Sequence, residues 1–258
     1  MDAAGLLLPL PIIVAVVAVT LIASFVKGAV GFAMPMIMMS GLASVMPAER
    51  ALATLIIPTL MANLWQTLRG GLPQARQVVR EFWRYLVVVL VFIALAAQLV
   101  TSLPPGVMYL VIGIPIIVFS LVQIAGWKPR IPPHGRWLAD VGIGLLAGFM
   151  GGLSGVWGPP TVLYLLAIEA PKKDAISVQG VVYGAGSLVL MLAHIRSGVL
   201  SAETAPLGAA LLVPMIAGLW VGQMVQDRLD QQKFRRAMLF VLIIAGLNLI
   251  RRGLGDLG

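Results

Sequence analysis

The segment Phe25-Val-Lys-Gly-Ala-Val-Gly-Phe-Ala-Met-Pro35 returns 124 residues later as Phe149-Met-Gly-Gly-Leu-Ser-Gly-Val-Trp-Gly-Pro159. Phe25, Gly28, Gly31 and Pro35 thereby coincide with Phe149, Gly152, Gly155 and Pro159 at one offset. The chemistry this spacing allows is anion binding. Glycine permits positive φ and close approach of a ligand to the backbone. Proline suits the first turn of a helix that restarts after such a bend. The free N–H groups and positive dipole end of each restarted helix would attract negative charge. The competing reading is close helix packing through small residues, which suits Gly144, Gly148 and Gly152 well.

Lys27 is the only cation deep in an apolar run, and an intramembrane ionisable residue is a functional hypothesis by default. Either it attracts the anion or it snorkels to lipid phosphates. Asn63 and Ser187 stand at the same 124-residue offset, each on the helix after a bend. With Tyr183, and with Ser154 and Trp157 of the second turn, they could donate hydrogen bonds to an oxoanion; interhelical bonding is the alternative. The candidate substrate contacts are therefore Lys27, Gly28, Gly31, Pro35, Asn63, Gly152, Ser154, Gly155, Trp157, Pro159, Tyr183 and Ser187. His194, Asp140 and Glu169 are expected at membrane interfaces. Arg76, Arg80 and Arg84 follow a four-residue spacing and predict a surface helix against anionic lipid.

These residues sit in a chain that belongs in a bilayer. Of its 258 residues 60% are hydrophobic and 11% charged, too little polar surface to cover a water-soluble globule. The net charge of +8 is spread between apolar runs rather than over one patch, which argues against nucleic acid. With no Cys and two His, thiolate chemistry is excluded and a metal centre is not expected. Residues 51–68, 85–103, 106–126, 175–195, 204–225 and 234–250 read as membrane helices. Residues 6–46 would make a helix of about 62 Å and residues 138–168 one of about 47 Å, both too long for one crossing. Each should bend at its glycines. The absence of a basic stretch before Leu6 favours a retained helix over a cleaved signal.

The positive-inside rule relates the halves. If residues 138–168 form a hairpin, thirteen Lys and Arg fall inside against four outside; with a single crossing the ratio is ten to seven. The hairpin makes the halves inverted. The expected fold is all-α: a polytopic membrane protein of two inverted repeats (residues 1–126 and 138–258, joined by a cytoplasmic linker 127–137) with Gly/Pro-broken re-entrant or hairpin helices.

The paired turns, with the Ala-rich Ala51-Leu-Ala-Thr54 that follows the first, resemble the TauE/SafE sulfite exporter family, also called TSUP. The likeness covers nearly the whole chain. It implies a secondary transporter in the bacterial inner membrane for sulfite, thiosulfate or an organosulfonate, working by alternating access. No enzymatic activity and no cofactor are expected. The partners implied are a small anion and the bilayer, with H⁺ or Na⁺ coupling and a homodimer left open. An anion channel, a membrane enzyme and an assembly factor are the alternatives. No nucleotide loop is present, and Ser154 or Ser187 with a distant His194 is a poor nucleophile–base pair.

Overall fold

Long apolar runs in lipid must satisfy every backbone N–H and C=O within themselves, so they become helices. In the computed structural model every regular element among the described residues is helical. The structure describes residues 9–127, 130–226, 228 and 230–257, with no account of the side chains of residues 133, 172, 173, 231, 232 and 235. Leu6 and Lys128 lie outside the described residues. The helices are α1 (Leu10–Val30), α2 (Met34–Leu42), α3 (Ala48–Arg69), α4 (Leu72–Ala97), α5 (Pro105–Ile124), α6 (Arg136–Ser154), α7 (Gly158–Ala167), α8 (Lys172–Ser197), α9 (Ala205–Ala210), α10 (Leu212–Val225) and α11 (Gln231–Leu257).

Eight helical stretches among the described residues are long and apolar enough to cross a membrane. The outer faces agree. Val213 is 75% exposed and Ile244 68%, side chains that water would penalise and lipid tails accept. The two short helices lie the other way. Met34, Met36, Met38 and Met39 of α2 are all buried, as are Pro159, Thr161, Tyr164 and Leu165 of α7. At nine and ten residues these helices reach about 14 and 15 Å, half a bilayer.

The 124-residue offset extends from sequence to element ends. Val30 and Ser154 close α1 and α6; Met34 and Gly158 open α2 and α7; Ala48 and Lys172 open α3 and α8. The packing has a matching pattern: α1 lies on α10, α6 on α4, α3 on α8 and α5 on α11. Small residues bring these pairs together. A Cβ on Gly28 would lie 2.4 Å from the Leu219 carbonyl of α10, and one on Gly152 2.5 Å from the Ile93 carbonyl of α4. Both contacts are backbone on backbone.

The expected surface helix is the first part of α4: Arg76, Arg80 and Arg84 are exposed there, and the backbone leaves helical geometry at Phe82 (φ −109°, ψ 18°), a kink that sets this stretch off from the membrane part. One expectation needed revision. Asp140 is buried rather than interfacial, because the Tyr164 hydroxyl donates to its carboxylate at 2.5 Å. Glu169 does sit exposed, paired with Arg130 at 2.9 Å.

Candidate functional site

Both turns begin with a left-handed glycine. Gly31 (φ 85°) and Gly155 (φ 72°) each donate a backbone N–H to the carbonyl four residues earlier, Lys27 at 2.8 Å and Gly151 at 2.7 Å. In the first turn Ala33 is also left-handed (φ 75°), a conformation costing a residue with a Cβ about 1–2 kcal/mol. Strain of this kind persists where surrounding structure enforces it, commonly at sites of function. Pro35 follows at the start of α2, and Pro159 and Pro160 at the start of α7. In the first turn of α7, Pro159 and Pro160 carry no N–H and the Thr161 N–H bonds the Trp157 carbonyl at 3.4 Å, which leaves the Gly158 amide as its donor.

The two turns meet. A small chamber of about 20 Å³ is lined by Lys27, Phe32, Ala33, Pro35, Met36 and Asn63 from one half and by Gly155, Val156, Trp157, Gly158 and Tyr183 from the other. That volume holds about one water, so the chamber is closed to an oxoanion as it stands. A second pocket of about 320 Å³ adjoins it, with Lys27 in both walls. This vestibule runs past Gln66, Thr67 and Gln223 to Arg69 and Gly70 at the end of α3, Gln74 at the start of α4, and Gln226 beyond α10.

Lys27 dominates the electrostatics. Its side chain is in the protein interior, only 3% exposed, and Nζ donates to Asn63 Oδ1 at 2.6 Å and to Gln66 Oε1 at 2.8 Å. The Tyr183 ring centroid lies 5.8 Å from it. Among the described residues no carboxylate comes within 4 Å and no acceptor takes its third hydrogen. A buried ammonium held by two neutral amides is solvated without being neutralised, which leaves it open to a mobile anion.

The amides are fixed in turn. Asn63 Nδ2 donates to the Tyr183 carbonyl at 3.3 Å, and Thr67 Oγ1 to the Gly180 carbonyl at 2.7 Å, tying α3 to α8. Trp157 packs edge-on against Tyr183 with centroids 6.5 Å apart.

Of the expected contacts, the chamber gathers Lys27, Pro35, Asn63, Gly155, Trp157 and Tyr183; Gly28 and Gly31 line the vestibule. Gly152, Ser154, Pro159 and Ser187 line neither. Ser154 Oγ donates to the Met150 carbonyl at 2.7 Å and Ser187 Oγ to that of Gly184 at 3.0 Å. Sequence reasoning overlooked Gln66. Its signal was present: it follows Asn63 by three residues, so both side chains reach one face of α3. His194 was expected at an interface and is fully buried against Gly152.

Eight helical stretches long and apolar enough to cross a membrane, packed around a buried lysine, make this a multi-pass membrane protein. The chain belongs to the sulfite exporter TauE/SafE family, whose model matches residues 16–249, nearly its whole length. None of the curated proteins and none of the solved structures compared with it matches.

Proposed function

We propose that the protein is a secondary transporter that carries a small sulfur-containing anion across the bacterial inner membrane by alternating access. The substrate class is sulfite, thiosulfate or an organosulfonate. The observation that carries this reading is Lys27: a buried ammonium without a carboxylate, standing where a solvent-reaching vestibule meets the chamber between the two helix restarts. Membership of a sulfite-exporter family supports the anion class.

In this reading residues 1–126 and 138–258 are inverted repeats around the chamber, joined by the linker 127–137. The coincident helix ends and the exchange of packing partners between halves support it. The anion enters the vestibule past Arg69, displaces water at Lys27, and completes its coordination at the start of α2 and at the Gly158 amide of α7. The dipole ends and one Lys give attraction without a fixed salt bridge, so release stays fast. A chamber of about 20 Å³ between the turns is too small to pass an oxoanion, which favours a carrier over a channel.

Proteoliposomes loaded with labelled sulfite, thiosulfate, taurine or sulfoacetate test this directly. Saturable flux of at least one of these, trans-stimulated by the same anion, is expected. Flux of none of them, or unsaturable conduction, rejects the reading. The topology has its own test, because the chain lacks Cys. Cysteines at Lys128 and Lys173 should resist an impermeant maleimide applied to intact cells, while one at Arg196 should react. Labelling of Lys173→Cys alongside protection of Lys128→Cys would remove the inverted arrangement.

A further inference from the structure

His194 lies wholly inside the protein, and its two ring nitrogens meet different kinds of oxygen. Nε2 is 3.0 Å from the Gly152 carbonyl and Nδ1 is 3.1 Å from Ser197 Oγ. A carbonyl only accepts, so Nε2 carries a hydrogen in every protonation state. The Gly152 carbonyl depends on that donor. In an uninterrupted helix the Val156 amide would serve it, but α6 ends at Ser154 and that amide turns to Ser154 Oγ at 3.3 Å. An orphaned carbonyl in lipid is costly, and α8 supplies the missing hydrogen.

The titrating nitrogen is therefore Nδ1. Facing the neutral ring, the Ser197 hydroxyl donates to Nδ1. Facing a protonated ring, it rotates to donate to the His194 carbonyl, 3.4 Å away, and accepts from Nδ1–H. Every hydrogen bond survives protonation. The charge itself is what lacks a partner: among the described residues no carboxylate lies within 4 Å. Of the helices packed on α8, α4 presents Gln98, whose amide bonds the Ala193 carbonyl, α6 carries Arg136 and Asp140 at the end away from Gly152, and α3 carries Glu49, Arg50 and Arg69. Arg196, on the same helix, is exposed.

We propose that His194 binds the proton that couples anion movement. This deepens, and rests on, the transport reading above. The proton arrives from the Ser197 end, where the chain leaves α8 at exposed Gly198. An N–H bond forms at Nδ1 as an O–H bond of hydronium breaks. The charge is felt through Nε2–H at Gly152, three residues before the turn glycine Gly155, and an anion in the chamber beyond that turn compensates it. Proton and anion then favour each other's binding, reciprocally.

Only two His occur in the chain, so ¹⁵N-histidine NMR of the full protein in nanodiscs resolves the site. The signal missing from His194→Gln belongs to His194. It should show hydrogen on Nε2 at high pH, gain a second on Nδ1 as pH falls, and do so at higher pH when thiosulfate is added. Thiosulfate stays fully ionised near neutrality, so its own titration adds nothing. In proteoliposomes the wild type should move protons with thiosulfate. His194→Gln keeps a donor for the Gly152 carbonyl but binds no proton. It should move no protons with thiosulfate, and its thiosulfate affinity should stay flat as pH falls, whereas that of the wild type should rise. A ring that stays neutral from about pH 8 to 5, a midpoint indifferent to thiosulfate, or wild-type proton movement in His194→Gln overturns the proposal. A wild type that carries no anion at all would instead sink the transport reading, while the imidazole signal still decides whether His194 takes up a proton.

Discussion

Replacing Lys27 with methionine should weaken anion binding by roughly 30- to several-thousand-fold, the 2–5 kcal/mol associated with deleting one partner of a desolvated charge pair. The protein should remain folded. Methionine fills a similar volume, and the change removes a cation whose burial is expensive, so thermal stability should hold or rise. Asn63 and Gln66 lose their common donor, but the vestibule leaves Gln66 room to meet water. Lys27→Arg separates charge from shape. It keeps the positive charge in a planar fork that cannot reproduce a point contact on both amides, so its binding should fall between the other two. Sulfite and thiosulfate titrations of the three purified proteins, with melting curves, give the comparison. Wild-type affinity in a stable Lys27→Met protein would falsify a role for the ammonium and leave its amide cage as architecture only.

How far this site could be read from the chain depends on what kind of contact each residue makes. The length of residues 6–46 speaks against a single crossing, and among the described residues α1 stops at Val30 and α2 opens at Met34. Lys27 was legible because a cation in an apolar run has few reasons to be there. Gln66 was not singled out because an amide near a helix end usually faces headgroups, and only the approach of α1 to α3 turns it toward Nζ.

His194 is the sharper case. Beside Arg196 it reads as an interfacial residue, yet its place is set by a carbonyl 42 positions away that α6 leaves unpaired when it ends. No local pattern records that a distant carbonyl needs a donor. Asp140 was misplaced for the same reason, since Tyr164, across the second turn, draws it inward.

The largest effect on transport is expected at the second turn, where Gly155→Val should abolish flux. Two separate costs act there. A β-branched residue at φ 72° is a backbone outlier, and its Cβ would lie 2.9 Å from Leu55 Cδ1. Leu55 can shift, but the backbone cannot do so freely: the N–H of Gly155 is tied to the Gly151 carbonyl, so rotating φ out of the left-handed region swings the chain that follows. Relaxing it re-aims Val156, Trp157 and Gly158, the chamber's whole contribution from that turn. Gly31→Ala isolates the backbone term, because φ is 85° but nothing lies within 4 Å of the added carbon. It should cost about 1–2 kcal/mol and leave partial transport. Gly144→Ala isolates packing. Its Cβ would meet Val88 Cγ1 at 3.1 Å, so it should lose about 1 kcal/mol of stability, overpacking partly offset by better helix propensity, and keep its substrate affinity. Expression, melting temperature, affinity and flux of the three variants separate the site from its scaffold. A stable Gly155→Val protein that transports normally would place the anion away from the turns, because no arrangement of that residue leaves both the bend and the chamber unchanged.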